Sequence, residues 1–270
     1  MSDEASQTAE RSTIETSQDG HIGYITLSRP DAMNTFSTEL AEDLDSALDE
    51  LEEKSEIRAI VVDGAGDAFS AGIDVSEHAE YDTRAEYEEW VSRMEEPFHT
   101  LAEMRTPVVA AVHGHAAANG LGLVAASDLA VAAEGTQFGA TAPKVGLFCM
   151  GPSVPLMKSL DRKRTLEMIL TGELIDAETA LDWGIVNRVV PTGDHVEAAV
   201  DLAETMASKS PMAVQMGKEA YYEMEDMDYH DALEYSNERF AELCTTEDAH
   251  EGIEAFLAGD PLSMEEWPAE

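Results

Sequence analysis

Residues 114–128 read "GHAAANGLGLVAASD": a glycine, a run of tiny side chains with one asparagine, then an apolar stretch closed by a single acid. "TPVVAAVHG" at 106–114 leads into it and "DLAVAA" at 128–133 leads out, and both have the apolar, β-prone character of buried strands. Between them, the apolar run from about Gly120 reads as a short helix. A chain passing from strand to helix leaves the first helical amides without intrahelical acceptors. Those N–H groups and the helix dipole favour a negative oxygen. A ligand can reach that backbone only past small side chains, a condition met by Ala116, Ala117, Ala118 and Gly120.

A second segment has the same character. "RAIVVDG" at 58–64 reads as a strand, and it runs on into "AFSAGID" at 68–74, a small-residue turn around Ala71 and Gly72. Two amide sources, one per turn, could converge on one carbonyl oxygen. Such an oxyanion hole supplies several kcal/mol to acyl chemistry by stabilising charge that develops on the carbonyl. On composition alone, close-packed crossings of strand and helix explain both segments equally well.

Working outward, "TIETSQDGHIGYITLSRP" at 13–30 reads as two extended runs about an Asp19-Gly20 turn, stopped by Pro30. From Ser37 onward, Leu40, Leu44, Ala47, Leu48 and Leu51 recur at steps of three and four, one face of a helix whose other side is Asp and Glu. Strands separated by helices predict an α/β architecture with parallel pairing. The final third is helical in pattern, with "IVNRVV" at 185–190 its one strand-like interruption. A helical region of that size needs something to pack on, either its own core or a neighbouring subunit.

The chain has 270 residues, 44% of them apolar, enough for one large domain with an appendage. Its formal net charge of -40 comes from 56 acidic and 16 basic residues spread along the whole length. That balance argues against nucleic acid and anionic membranes as partners. The periodic apolar segments argue against a disordered acidic protein. Concentrated salt, where the Debye length falls to about 3 Å at 1 M, relieves such like-charge repulsion, so a halophile's cytosol is the expected setting. Cys149 and Cys244 form neither a disulfide framework nor a metal-ligand spacing. The N-terminal "MSDEASQTAE" lacks the basic start and apolar stretch of a signal peptide, and no run has the length of a membrane span, so a cytoplasmic location is expected.

"RPDAMNTFS", "AFSAGID", "VHGHAAANGLGLVAASDLAVAA", "VGLF" and "TEDAHEGIEAFL" stand in an order and spacing that resemble the enoyl-CoA hydratase/isomerase, or crotonase, family, from about residue 13 to about residue 258. Each motif alone is weak, whereas five in register are specific. The resemblance implies a crotonase (ClpP-like) α/β fold: a ββα spiral core at 13–195 and a helical trimerisation region at 196–260, between an acidic tail at 1–12 and a short tail at 261–270. It implies a homotrimer or homohexamer acting on an acyl-CoA thioester. No separate cofactor or metal is implied, because coenzyme A arrives as part of the substrate. Carried over by position, the oxyanion amides fall on Ile73 and Asn119. The CoA adenine falls to main-chain groups at Ala32, Ala71 and Ile73, and Phe240 matches an aromatic position near the CoA, though it reads equally well as an ordinary core residue.

Two departures bear on chemistry. The family's two catalytic glutamates align with Gly122 and Ala142, neither of which can move a proton, and a general base must lie within hydrogen-bond reach of its proton. His115, Cys149 and Met150 lie near these positions; solvation for the histidine and simple packing for the other two are the plainer accounts. Asp74 and Asp128 match positions usually acidic in the family, where helix-end or structural hydrogen bonding is expected. "LFCMGP" is similar to a subgroup of relatives that also lack both glutamates. Positions often basic near the CoA are Asp31 and Gly259 here, a loss that screening in salt makes less costly or that weakens CoA binding.

Other motif readings fail on context. "GLGLVA" fits a loose dinucleotide fingerprint, but its glycines do not follow the strand directly. "GPSVP" lacks the closing glycine of a nucleophile elbow, and "HGH" at 113–115 has no third metal ligand at useful spacing. Two functions follow: an enzyme of the hydratase/isomerase type that stabilises a thioester enolate, or a catalytically weak acyl-CoA-binding protein or CoA-thioester hydrolase relative.

Overall fold

The computed structural model describes residues 11–267. At its start, β1 (Ile14–Asp19) and β2 (Ile22–Leu27) form an antiparallel hairpin in which Asp19 pairs with Ile22. Ser37 then caps α1 (Thr38–Glu52), its hydroxyl accepting from the Leu40 amide, and the predicted stripe of Leu40, Leu44, Ala47, Leu48 and Leu51 is buried. Three parallel strands follow: β3 (Ala59–Gly64), β4 (Val108–Val112) and β6 (Leu129–Ala133). With β9 (Arg188–Val190) they complete a six-stranded sheet ordered β1-β2-β3-β4-β6-β9.

Both faces of this sheet are covered, which is why its strands read as unbroken apolar runs instead of alternating ones. Ile60, Val62, Val108, Ala110 and Val112 face a core shared with α1, α2 (Arg84–Glu103) and α3 (Asn119–Ala126). Ala59, Val61, Val109, Ala111 and Val131 face α7 (His195–Ala207), which buries Ala199, Ala203 and Ala207 against them. The expected boundary at residues 195 and 196 therefore falls at the start of a helix that packs on the sheet.

A second layer holds β5 (His115–Ala117), β7 (Gln137–Gly139) and β8 (Ile175–Asp176). Ser70 joins it through a parallel bridge to Ala116. Each central strand of the large sheet thus sends the chain through a short segment of the second layer and then into a helix. Strand β4 leads to β5 and α3, and β6 leads to β7 and α4 (Met150–Ser159). This is the repeated ββα unit of the expected spiral.

Two details differ from the pattern read in the sequence. The strand at 106–114 does not turn straight into a helix: Gly114, at φ +62°, redirects the chain and β5 intervenes. Only glycine fits there, because a Cβ would stand 2.0 Å from the Asp67 carbonyl oxygen. The final third also holds, in addition to β9, the strand β8, which pairs with β7 and lies after α5 (Arg162–Thr171) and before α6 (Ala177–Trp183) in the chain. A strand of two residues, Ile175 and Asp176, is too short to show a period.

The last helices are α8 (Pro211–Glu225), α9 (Tyr229–Leu243) and α10 (Glu247–Ala258). Asp128 ties α8 to the core. One of its carboxylate oxygens accepts from the Val108 amide (2.7 Å) and the Lys218 ammonium (2.8 Å), and the other from the Tyr222 hydroxyl (3.0 Å). Lys218 also donates to the Thr106 carbonyl at 3.0 Å. Burial and the adjoining carboxylate push the Tyr222 hydroxyl far up from its ordinary value, so it stays a donor. Asp128 thus has the structural hydrogen-bonding role expected of it. Among the described residues, no helix is long and apolar enough to cross a membrane.

Candidate active site

The two small-residue turns meet. Ser70 is zipped to β5, its amide donating to the His115 carbonyl at 3.0 Å and its carbonyl accepting from the Ala117 amide at 2.9 Å. Gly72 (φ +102°) lies so close to the other turn that a Cβ on it would stand 2.7 Å from the Ala118 Cβ and 2.9 Å from the Ala117 oxygen. Gly120 is pressed in the same way on Ser70, where a Cβ would meet the carbonyl oxygen at 2.5 Å. The glycines at 72 and 120 therefore serve the approach of one turn to the other.

Several amides around this contact are already engaged. Ala71 N–H donates to the Met33 carbonyl (3.0 Å), Gly72 N–H to the Ser70 hydroxyl (3.3 Å) and Asp74 N–H to the Phe36 carbonyl (2.7 Å). In the other turn, Ala118 N–H donates to the Gly139 carbonyl (2.9 Å). Among the described residues, neither the Ile73 nor the Asn119 amide has an acceptor within the chain. Asn119 opens α3, and the residue before it, Ala118, holds φ +46° and ψ -114°. A side chain resists that conformation, which costs of order 1–3 kcal/mol and collects at functional sites. Nothing in the letter Ala announces it.

Of the other expected residues, Ala32 lies in the short turn Pro30–Ala32, and its neighbour Met33 accepts the Ala71 amide, so that turn adjoins the one carrying Ala71 and Ile73. Asn34 fixes that turn by donating to the Ala65 and Ala68 carbonyls, both at 2.8 Å. Asp31 is exposed beside it. Asp74 pairs with Arg29 at 3.0 Å. Burial alone would raise the Asp74 carboxyl, but hydrogen bonds from Ser76 and Arg29 hold it below the ordinary carboxylate range. His115 is exposed at the start of β5, and Met150 is exposed at the start of α4. Cys149 is buried, and burial pushes its thiol up, outweighing the opposing effect of the Ala142 amide, which suits packing better than nucleophilic chemistry. Phe240 stands apart on α9, 68% exposed, and is not a core aromatic of this chain.

Where the two glutamates are expected, the structure explains the space. A Cβ on Gly122 would stand 2.7 Å from Phe98 Cζ and 3.0 Å from the Pro152 Cβ, so α2 and α4 fill what a side chain there would occupy. Ala142 is half-buried against the core. Beside Phe98 opens a cavity of about 1020 Å³ between α2, the far end of α3, α4 and α8.

Comparison with known proteins fixes the lineage. Residues 17–263 match the family described as "Enoyl-CoA hydratase/isomerase". The chain belongs to that family. Among curated relatives is the rat "Enoyl-CoA hydratase domain-containing protein 3, mitochondrial", 34% identical over 92% of this chain and 82% of its own. An enoyl-CoA hydratase of Mycobacterium smegmatis superposes with a TM-score of 0.90 at 33% identity, covering 93% of this chain and 98% of that one. Human enoyl Coenzyme A hydratase domain-containing protein 3 superposes with a TM-score of 0.89 at 32% identity, covering 93% and 99%. The crotonase fold read from the motifs is therefore the fold of this family member. Sequence reasoning placed its paired turns but missed Ser70, whose backbone joins them, and Phe98, which closes the space at Gly122.

Proposed function

We propose that this chain binds an acyl-CoA thioester with its carbonyl oxygen between the Ile73 and Asn119 amides and stabilises the enolate formed there, as an enoyl-CoA hydratase/isomerase-type enzyme. The carrying observation is that the Ile73 and Asn119 N–H groups, neither with an acceptor among the described residues, sit in two turns that touch. Such donors cost no reorganisation when charge develops, which is the source of their catalytic effect. Main-chain groups at Ala32, Ala71 and Ile73 hold the adenine side of CoA. Phe240 packs beside the CoA once copies of the chain assemble as a homotrimer or homohexamer through α8–α10. The exposed Leu233, Phe240, Ile253, Phe256 and Leu257 support that assembly. The excess of acidic residues supports work in concentrated salt and argues against nucleic acid or an anionic membrane as a partner.

The glycine at 122 and the alanine at 142 favour a second reading, an acyl-CoA binder of low turnover. Crotonyl-CoA in molar KCl separates the two. Loss of enoyl absorbance at an enzymic rate supports the first, saturable binding without turnover supports the second, and absence of both refutes the thioester site.

A further inference from the structure

Four helices frame the cavity, and the contacts among α2, α3 and α4 set a common register. At its far end, Ala102 and Glu103 of α2 face Ala125 to Asp128 at the end of α3, and the Ser159 hydroxyl of α4 lies 3.4 Å from the Ala125 carbonyl. One level nearer the site, Phe98 of α2 and Pro152 of α4 meet Gly122 of α3. Helices α2, α3 and α4 therefore run in the same direction, their N-terminal parts toward the paired turns. A step of three residues back along a helix is about 4.5 Å. That step leads from Gly122 to Asn119 on α3 and from Phe98 to Glu95 on α2.

Glu95 turns its carboxylate inward at that level. A Cβ on Gly151, in the first turn of α4, would stand 1.8 Å from Glu95 Oε1 and 2.3 Å from its Cδ, so the absence of a side chain at 151 makes the carboxylate's place. Glu95 lines the cavity, is half-buried, and has no hydrogen-bond or ion-pair partner among the described residues. Other polar groups of α2 are held within the fold: Arg93 donates to Glu42 and Thr100 to Asp45 of α1, and the Glu86 amide donates to the Thr83 hydroxyl at the helix start. An unpartnered carboxylate lodged against a glycine at the edge of the cavity, one helical step toward the level of Asn119, is placed for chemistry.

We propose that Glu95 is the proton-transfer group of this site, doing from α2 what no residue at 122 or 142 can do. The inference rests on the acyl-CoA reading of Ile73 and Asn119. Ionised Glu95 takes a proton from the thioester's α-carbon. The C–H electron pair becomes the new carbon–carbon double bond, and the carbonyl π pair moves onto the oxygen held by the two amides. The protonated carboxyl then returns the proton to the α-carbon, or to the γ-carbon of an unsaturated chain, so no further reactant is needed. Burial holds the Glu95 carboxyl above the ordinary glutamate range, against a smaller opposing effect of His99, which suits a group that must both take and give a proton.

The test is solvent exchange with but-3-enoyl-CoA in deuterated buffer containing molar KCl, read as deuterium in the recovered thioester by mass spectrometry, with binding followed by titration calorimetry. The wild-type chain should label the thioester well above the uncatalysed rate. Glu95→Gln should lower that rate at least about 100-fold with less than about a threefold change in Kd, the range typical of a lost general base. Gly151→Ala, which keeps Glu95 but crowds its carboxylate, should also slow exchange, and it decides the matter if Glu95→Gln misfolds. Glu103→Gln, on the same helix at the far end of the cavity, should exchange like wild type. Binding without exchange in the wild type, or exchange by Glu95→Gln within threefold of wild type, overturns the role of Glu95. Absence of binding in the wild type overturns the thioester reading and this role with it.

Discussion

Helices α1 and α9 each have 15 residues, yet α1 buries six of its own and α9 buries none. Both carry apolar residues at helical spacing among acids. The α1 stripe meets the sheet and α2, whereas Leu233 and Phe240 of α9 remain exposed. Amphipathic spacing thus tells which face of a helix wants cover but not where the cover comes from. For α1 it comes from the same chain, and for α9 we assign it to another copy.

The contrast can be broken at the joint between the two regions. Asp128→Ala leaves Lys218, whose side chain is 6% exposed, without its carboxylate, and removes the acceptor of Tyr222 and Val108. Loss of one partner of a buried pair costs about 3–5 kcal/mol, so chemical denaturation should show a large drop or a separate early transition as α8 detaches. Next comes α1 itself: Leu44→Ala should lower the unfolding free energy by about 2–5 kcal/mol, because the fully buried site cannot refill.

A smaller effect of opposite sign is expected on α2. Because folding raises the Glu95 carboxyl, its neutral form favours the folded state. That advantage is complete below the ordinary glutamate value and is lost as the pH rises through the raised one. Glu95→Gln should therefore match wild-type stability near pH 4 and exceed it near pH 8 in paired denaturation curves. Smallest for the single chain is Phe240→Asp on α9, within about 0.5 kcal/mol for an exposed site. Light scattering in molar KCl should nonetheless show a lower mass if α9 is covered by another copy, and an unchanged mass would sink that assignment.

Much of this was legible in the residues. The Leu40 to Leu51 stripe, the Asp19-Gly20 hairpin and the three apolar strands carry their periods openly, because burial on one or both faces selects for them. Helix α2 is less open: acids occupy so many of its positions that Trp90, Met94 and Leu101 scarcely stand out, and Pro97 interrupts the run. Glu95 is invisible there as one glutamate among several, and only the contact with Gly151 distinguishes it. The paired turns show their small residues but not their reasons. Gly72 and Gly120 are small for each other, and the strain at Ala118 would be suspected only had a glycine stood there.

The ring of Phe98 over Gly122 sets terms for anyone who would re-engineer this pocket. Placing an acid at 122 by a single substitution drives it into an aromatic wall. A side chain at 122 therefore calls for a smaller residue at 98, and the two changes have to be made together.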